Sequence, residues 1–296
     1  MQTVAGKSIH GERFFKYALI APAVFLILFI GLYPFFKLIV TSFQNISMFD
    51  EIRSYQGFIH YGRLFGDTRL WSSILNTVLF TVVALPIELL LGYFLAVLFL
   101  GRLPFKQALV AIILLPTIIS PIVAGSIWRL LFDQRFGPIN QAISWFAGRE
   151  VKILWTVESA FVWPAILIAE VWQWTPFMFL LLYAALSGVD KEQLEASQID
   201  GASWWMTFRR IVLPAIMPVM VIAVLIRALD LFRVFDVIWT MTQGGPGTQT
   251  ETISIYAYQM AFRQFEISYS SAIAFVVIVI LTAIVMAALR RVELAR

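Results

Sequence analysis

The chain has no cysteine, two histidines and only 14% charged residues in a length of 296. Each shortage closes off some chemistry. Without cysteine there is neither a disulfide framework nor a thiolate metal site. His10 and His60 stand far apart, which removes His-Glu-x-x-His and every other histidine-cluster metal centre. No Walker A loop is present. Gly6-Lys7-Ser8 looks like the tail of one, but the earlier glycine of that pattern would fall on Met1, and no strand precedes it. If ATP drives this protein, another chain binds it. Asp-Asp-x-x-Asp and Gly-x-Ser-x-Gly are also missing, so no catalytic residue is assigned and the chain does not read as an enzyme. The shortage of charge says most. Soluble domains carry about 25% charged residues, whereas this chain is 60% hydrophobic with mean hydropathy +0.83. One aqueous core cannot bury that much apolar surface, so the lipid bilayer is the solvent.

A helix needs about 20 apolar residues to cross the hydrocarbon. Uncharged or nearly uncharged runs cover 17–36, 71–100 (with Glu88), 108–128, 159–188 (with Glu170), 211–226 and 267–289. The fifth run continues to Gln243 through Arg227, Asp230, Arg233 and Asp236. The expectation is an all-α integral membrane protein, a single domain over 1–296, with six transmembrane helices and both termini on one side. Lys7, Arg13, Lys16, Arg102, Lys106, Lys191, Arg209, Arg210, Arg290, Arg291 and Arg296 share that side. They outnumber Arg53, Arg63, Arg69, Arg135, Arg149, Lys152 and Arg263 on the other, which puts the termini in the cytoplasm. The basic start and first apolar run do not make a cleaved leader, because the run is too long and no small-x-small site ends it. Prolines 86, 116, 121, 164, 176 and 218 interrupt spans. Membrane helices tolerate them because neighbouring groups satisfy the freed carbonyls. Pro116 and Pro121 in one span suggest a kinked helix, either beside a cavity or as an ordinary kink. The connections 41–70, 132–158 and 244–266 are too short for a large external domain.

One polar stretch inside the grease carries a pattern of its own. Residues 188–210, between the fourth and fifth spans, contain LEASQIDGASWWMTFRR and run into IVLPAIMP. Their length suits two short helices and a turn. Leu194, Ala196 and Ile199 alternate with Glu195, Gln198 and Asp200, and Asp200-Gly201 is a turn signal because glycine accepts positive φ. Trp204, Trp205, Met206 and Phe208 are bulky for a short cytoplasmic loop. They suit a partner's cleft or the membrane interface, where tryptophan is enriched.

Glu195-Ala196-Ser197, Gly201 and Ile211-Val212-Leu213-Pro214 resemble the EAA motif of permease subunits of binding-protein-dependent ABC importers. Ser197 stands where the motif has its second alanine, and both are small. Leu115-Pro116, Leu131-Phe132-Asp133, Phe136-Gly137-Pro138-Ile139-Asn140 and Asn76-Thr77 extend the likeness over nearly the whole chain. So do Phe235-Asp236-Val237-Ile238, Met241-Thr242 and Gly244-Gly245-Pro246-Gly247, which look like the maltose-transporter-type subunit. The resemblance implies an ATPase-coupling loop carried by Glu195, Ala196, Ser197, Asp200, Gly201, Trp204, Leu213 and Pro214. It also implies a second permease subunit, two ATP-binding cassette ATPases that hold ATP and Mg, and a periplasmic or lipid-anchored binding protein. The setting would be the bacterial inner membrane, and nucleic acid has no part. ATP binding would pull the loop and open the cavity outward, by alternating access.

Ionisable groups inside spans are costly and point to function. Glu170, Gln173, Trp174 and Phe177 share one helical face. They offer a carboxylate, an amide, an indole and a phenyl ring, which is sugar-like recognition chemistry. Matching without gaps from the EAA motif, the resemblance places the family's sugar contacts on these same four, on Arg227 and Leu231, and on Thr117 and Pro121. The plainer reading makes Trp172 and Trp174 interfacial anchors and pairs Glu170 with an arginine. Arg227, Asp230, Arg233 and Asp236 recur every three residues, so neighbours can pair along the helix in a self-neutralising stripe. Alternatively Arg227 is free to meet an anionic phospho-, sulfo- or uronic sugar. Glu88 reads as a hydrogen-bond partner inside the bundle. A polyol importer, a passive channel and a membrane-embedded lipid-linked transferase are the competing functions. The channel leaves the EAA loop without a purpose, and the transferase lacks its catalytic groups.

Overall fold

A computed structural model describes residues 8–46 and 54–294. Lys7, Arg53 and Arg296, used for the orientation, lie outside them, as does the Gly6-Lys7 pair. The side chains of His10, Arg13 and Arg291 are also outside the description. In chain order the elements are α1 (Ser8–Ser42), β1 (Gln44–Asn45), β2 (Ser54–Tyr55), α2 (Ile59–Gly66), α3 (Thr68–Leu100) and α4 (Lys106–Ile118). Then come α5 (Pro121–Leu131), α6 (Pro138–Ala147), α7 (Val162–Ser187), α8 (Lys191–Ile199) and α9 (Trp204–Thr207). A π-helical turn (Phe208–Val212), α10 (Leu213–Phe232), α11 (Asp236–Thr242), α12 (Ile253–Phe262) and α13 (Ile267–Leu294) complete them. Among the described residues five helices are long and apolar enough to cross a membrane, or up to six if the bent pair α4–α5 is one span. The only departure from an all-helical chain among the described residues is the antiparallel pair β1–β2, two residues on each side.

The chain divides into two compact units, one formed by Met1–Gly66 and Ala257–Ile280, the other by Asp67–Tyr256 and Leu281–Arg296. In the first, the apolar stretch Phe15–Ser42 of α1 has nothing buried along its most hydrophobic window. A helix apolar all round and uncovered by protein belongs in lipid. Its far end is tied down: Ser42 Oγ and Tyr61 Oη lie 2.7 Å apart, and the Ile46 N–H donates to Ser268 Oγ at 2.9 Å. Arg63 pairs with Glu266 at 2.5 Å and lies 4.0 Å over the Tyr269 ring.

The second unit is organised on α3 against α7. A Cβ on Gly92 would sit 2.6 Å from Met178 Cβ and 2.8 Å from the Phe179 backbone nitrogen. The two backbones therefore touch through a hydrogen-sized gap, the way small residues serve helix pairs in lipid. Two apolar clusters flank this contact. One joins Phe80, Ala84, Ile166, Leu231 and Ile238; the other joins Phe99, Phe179, Leu182 and Ile216. Gly92→Val should push α3 off α7 and cost about 1–3 kcal/mol, the usual penalty of overpacking, measured as a lower unfolding temperature of the purified protein.

Where proline was expected to kink a single span over 108–128, the helix is broken instead: α4 and α5 meet at 96°. Pro121 drives Ser120 out of the helical region, to ψ 138°, and begins a new helix at its first position. The fifth span also differs from its expected limits. It starts at Trp204, because α9 runs through the π-turn directly into α10. Pro214 has no N–H, and the Leu213 N–H reaches back five residues to the Phe208 carbonyl. At the other end α10 stops at Phe232, and α11 begins afresh at Asp236. The connection 244–266 holds the helix α12 and a buried polar turn, and 132–158 holds α6. Before α6, Asp133 accepts from the N–H groups of Phe136 (2.9 Å) and Arg135 (2.8 Å), which holds its carboxyl below the usual range.

Candidate functional site

Three charges carried by three different helices meet in the second unit. The Arg227 guanidinium on α10 donates from Nε and Nη2 to the Glu88 carboxylate on α3, at 2.8 and 2.7 Å, and from Nη2 to Glu170 on α7 at 2.8 Å. The three side chains are 1%, 0% and 4% exposed. The guanidinium carbon lies over the ring of Trp174, one turn beyond Glu170, 4.6 Å from its centroid, a cation–π contact. A buried arginine flanked by two carboxylates has all its obvious compensation in place.

Arg227 therefore does not pair with Asp230, as the three-residue repeat allowed. Asp230 is taken by Arg233 at 2.5 Å. The repeat resolves this way because Arg227 faces inward toward α3 and α7, where it is fully buried, whereas Arg233 is 74% exposed. Of the two plain readings, Glu170 pairing with an arginine and Glu88 bonding inside the bundle both match the observed contacts.

Against the triad opens a cavity of about 440 Å³, whose lining includes Pro121, Glu170, Trp174, Arg227, Asp230, Arg233, Phe235 and Asp236. It sits where two helices are interrupted, at the α4–α5 break and the α10–α11 break. Discontinuous helices of this kind frame binding sites at membrane depth. The residues singled out from sequence separate here. Pro121, Glu170, Trp174, Arg227 and Asp230 reach the cavity wall. Leu231 is fully buried in the apolar cluster with Ala84 and Ile166. Gln173 is buried and donates to the Ile119 carbonyl at 2.8 Å, which satisfies the chain at the break, while its Oε1 has no partner among the described residues. Phe177 packs edge-on to Trp174 at 6.4 Å. The Thr117 hydroxyl is enclosed without a hydrogen bond to any described residue. Trp172 turns away and packs on Trp128 at 5.7 Å.

The segment 188–210 forms the expected first helix and turn. Asp190 caps α8 by accepting from the Glu192 N–H, and Gly201 adopts φ +70°. Ser197 is buried; its hydroxyl donates to the Leu194 carbonyl and meets Thr207 Oγ1 at 3.2 Å, joining α8 to α9. The small residue at this position thus has a packing role. Glu195, Ala196, Asp200 and Pro214 are exposed, and Leu213 is half-buried. Trp204 is 71% exposed, stacked on Phe208 at 5.7 Å, and edges a cavity of about 400 Å³ lined also by Tyr93, Val97 and Leu194. Gly201 is held by the positive φ that its turn was expected to need. A Cβ there meets nothing within 4 Å, so backbone conformation and not space requires glycine.

Sequence reasoning missed the ion pair made by Glu251. Glu251, fully buried after the Gly-Gly-Pro turn, receives two bonds from Arg69, each 2.8 Å. Asn76 donates to the Glu251 carbonyl, and Thr77 Oγ1 accepts from the Ile253 N–H. The Asn76-Thr77 and Gly-Gly-Pro elements are thus halves of one clamp. Their separation in sequence, 182 residues for the ion pair, leaves no local pattern to read.

A sequence model described as binding-protein-dependent transport system inner membrane component matches residues 57–293. The chain is 34% identical over 255 residues to the trehalose/maltose transport system permease protein of Thermococcus litoralis, covering 86% of each. It is 32% identical over 271 residues to the sulfoquinovosyl glycerol transport system permease protein of Agrobacterium fabrum, covering 90% of this chain and 86% of the relative. Among solved structures, a bacterial ABC transporter involved in the import of the acidic polysaccharide alginate superposes with TM-score 0.82 at 21% identity, covering 95% of this chain and 96% of that one. That last likeness is one of fold. With the family pattern running through most of its length, the chain belongs to the inner-membrane components of binding-protein-dependent transport systems, the permease subunits of ABC importers, which are not enzymes.

Proposed function

We propose that this chain is one of two permease subunits of an ATP-driven importer that moves a sugar or sugar derivative through the bacterial inner membrane by alternating access. The observation that carries this reading is the cavity at the two helix breaks, where the Trp174 ring and the polar groups of Glu170 and Asp230 face one space. A sugar offers apolar C–H faces to a ring and hydroxyls to carboxylates. The carbohydrate names of the relatives in Thermococcus litoralis and Agrobacterium fabrum point the same way. In this reading six spans put both termini in the cytoplasm. The loop 188–210 engages one of two ATPase subunits through Glu195, Asp200 and the exposed Trp204 and Trp205, and a binding protein delivers substrate from outside. ATP and Mg stay with the ATPases.

The test compares two tryptophans. Trp174→Ala should weaken substrate affinity by about 1 kcal/mol through lost aromatic contact, and Trp172→Ala should do less, because Trp172 packs on Trp128 away from the cavity. Uptake by the reconstituted importer measures both. Equal effects from the two, or none from Trp174→Ala, would remove the cavity from the transport path.

A further inference from the structure

We propose that the cavity beside the segment 188–210 seats one acyl chain of an anionic phospholipid, whose phosphate rests on Arg209 and Arg210. The site requires only that this segment lies at a membrane surface. It is separate from the substrate cavity.

The cavity, of about 400 Å³, opens where three elements end. Leu100 closes α3, Leu186 is the last residue but one of α7, and Val212 ends the π-turn that leads into α10. Tyr93, Val97 and Phe208 join them on its wall. Tyr93, Val97 and Leu100 share one face of α3, and Tyr93 lies about 10 Å back from Leu100 along the helix. The slot therefore runs from the end of a span into the depth of the hydrocarbon, where a lipid chain already is and a soluble partner is not. Val97 and Leu100 are 40% and 46% exposed, so this chain leaves the slot uncovered. Trp204, on its rim, is of the residue type enriched at that level.

Charge at the mouth selects the headgroup. Arg209 and Arg210 belong to the π-turn, between the lining residues Phe208 and Val212, and both are exposed. Arg102, also exposed, follows Leu100 by two residues. None of the three has an ion pair or a side-chain hydrogen bond among the described residues. The carboxylates of the segment do not pair with them. Asp190 caps α8, and Glu192 and Glu195 lie off the face that Leu194 and Gln198 turn to the cavity. Basic clusters where spans end attract anionic headgroups, and guanidinium groups suit phosphate oxygens. An apolar slot beside unpaired arginines fits both ends of one such lipid.

The experiment uses the assembled importer, stripped of lipid in detergent and mixed with equal amounts of phosphatidylglycerol and phosphatidylcholine bearing the same chains. Native mass spectrometry reads what stays bound. Phosphatidylglycerol should be retained severalfold over phosphatidylcholine. Arg209→Gln/Arg210→Gln should erase most of that preference. Val97→Trp, which fills the slot, should reduce retention of both lipids, and Leu100→Trp blocks its mouth should the first variant fail to assemble. Co-elution of the partner subunits shows that each variant is folded. Equal retention of the two lipids, or a preference that the double arginine variant leaves unchanged, would overturn the headgroup site. Retention that neither tryptophan variant alters would overturn the slot as the seat of the chain. An assembled importer that keeps neither lipid would overturn the whole proposal and leave the cavity to the ATPase.

Discussion

Arg227→Met should yield almost no assembled permease. The substitution keeps much of the volume but leaves Glu88 and Glu170 buried together, 0% and 4% exposed, with no cation between them. Breaking a buried ionic group by removing one partner costs about 3–5 kcal/mol, a large part of the stability of a typical domain. The triad also joins α3, α7 and α10, so its loss should loosen the whole second unit. The yield of monodisperse protein from membranes and its unfolding temperature measure the effect. The companion variant Glu88→Gln/Glu170→Gln/Arg227→Met removes all three charges. It should recover most of the yield, because neutral amides can hydrogen-bond to one another without an uncompensated ion. Normal yield of the single Arg227→Met variant would show that the carboxylates find another partner, and that the triad does not hold the helices together.

Gly201→Asp should abolish uptake while leaving insertion and the α3–α7 core intact. The added Cβ meets nothing, so the cost to folding is confined to the left-handed backbone at φ +70°. That cost is about 1–2 kcal/mol for an ordinary residue, and aspartate is among those that bear it best. The damage should fall on the surface. A new carboxylate beside the exposed Asp200 alters the turn between α8 and the Trp204–Trp205 pair, the face proposed to meet the ATPase. Uptake and substrate-stimulated ATPase activity of the reconstituted importer provide the readout. Wild-type values for both in this variant would end the assignment of 188–210 as a coupling loop.

Periodicity and composition were enough for the features that depend on neighbours along the chain. The long apolar runs named the membrane helices, the Asp200-Gly201 turn was legible from glycine's tolerance of positive φ, and the EAA spacing named the family. Proline marked where the third span would deviate, but not that the deviation is a 96° break. Whether a freed carbonyl leads to a kink or a break depends on what lies opposite, here the Gln173 amide that takes the Ile119 carbonyl. The π-turn ahead of Pro214 escaped notice for a similar reason, since the sequence does not say whether a helix will start after a loop or run through it.

What the sequence determined by itself, then, is the solvent, the helical class and the presence of charges too costly to be idle in a membrane. Which charges meet was decided only by the tertiary structure. The three-residue repeat from Arg227 to Asp236 permits several pairings along one helix. Packing α10 against α3 and α7 turned Arg227 inward to two carboxylates 139 and 57 residues away, and left Arg233 to Asp230 at the surface. A buried ion must be compensated by whichever opposite charge its neighbours bring within bonding distance, and that depends on the rotation and register of packed helices, which no local pattern encodes.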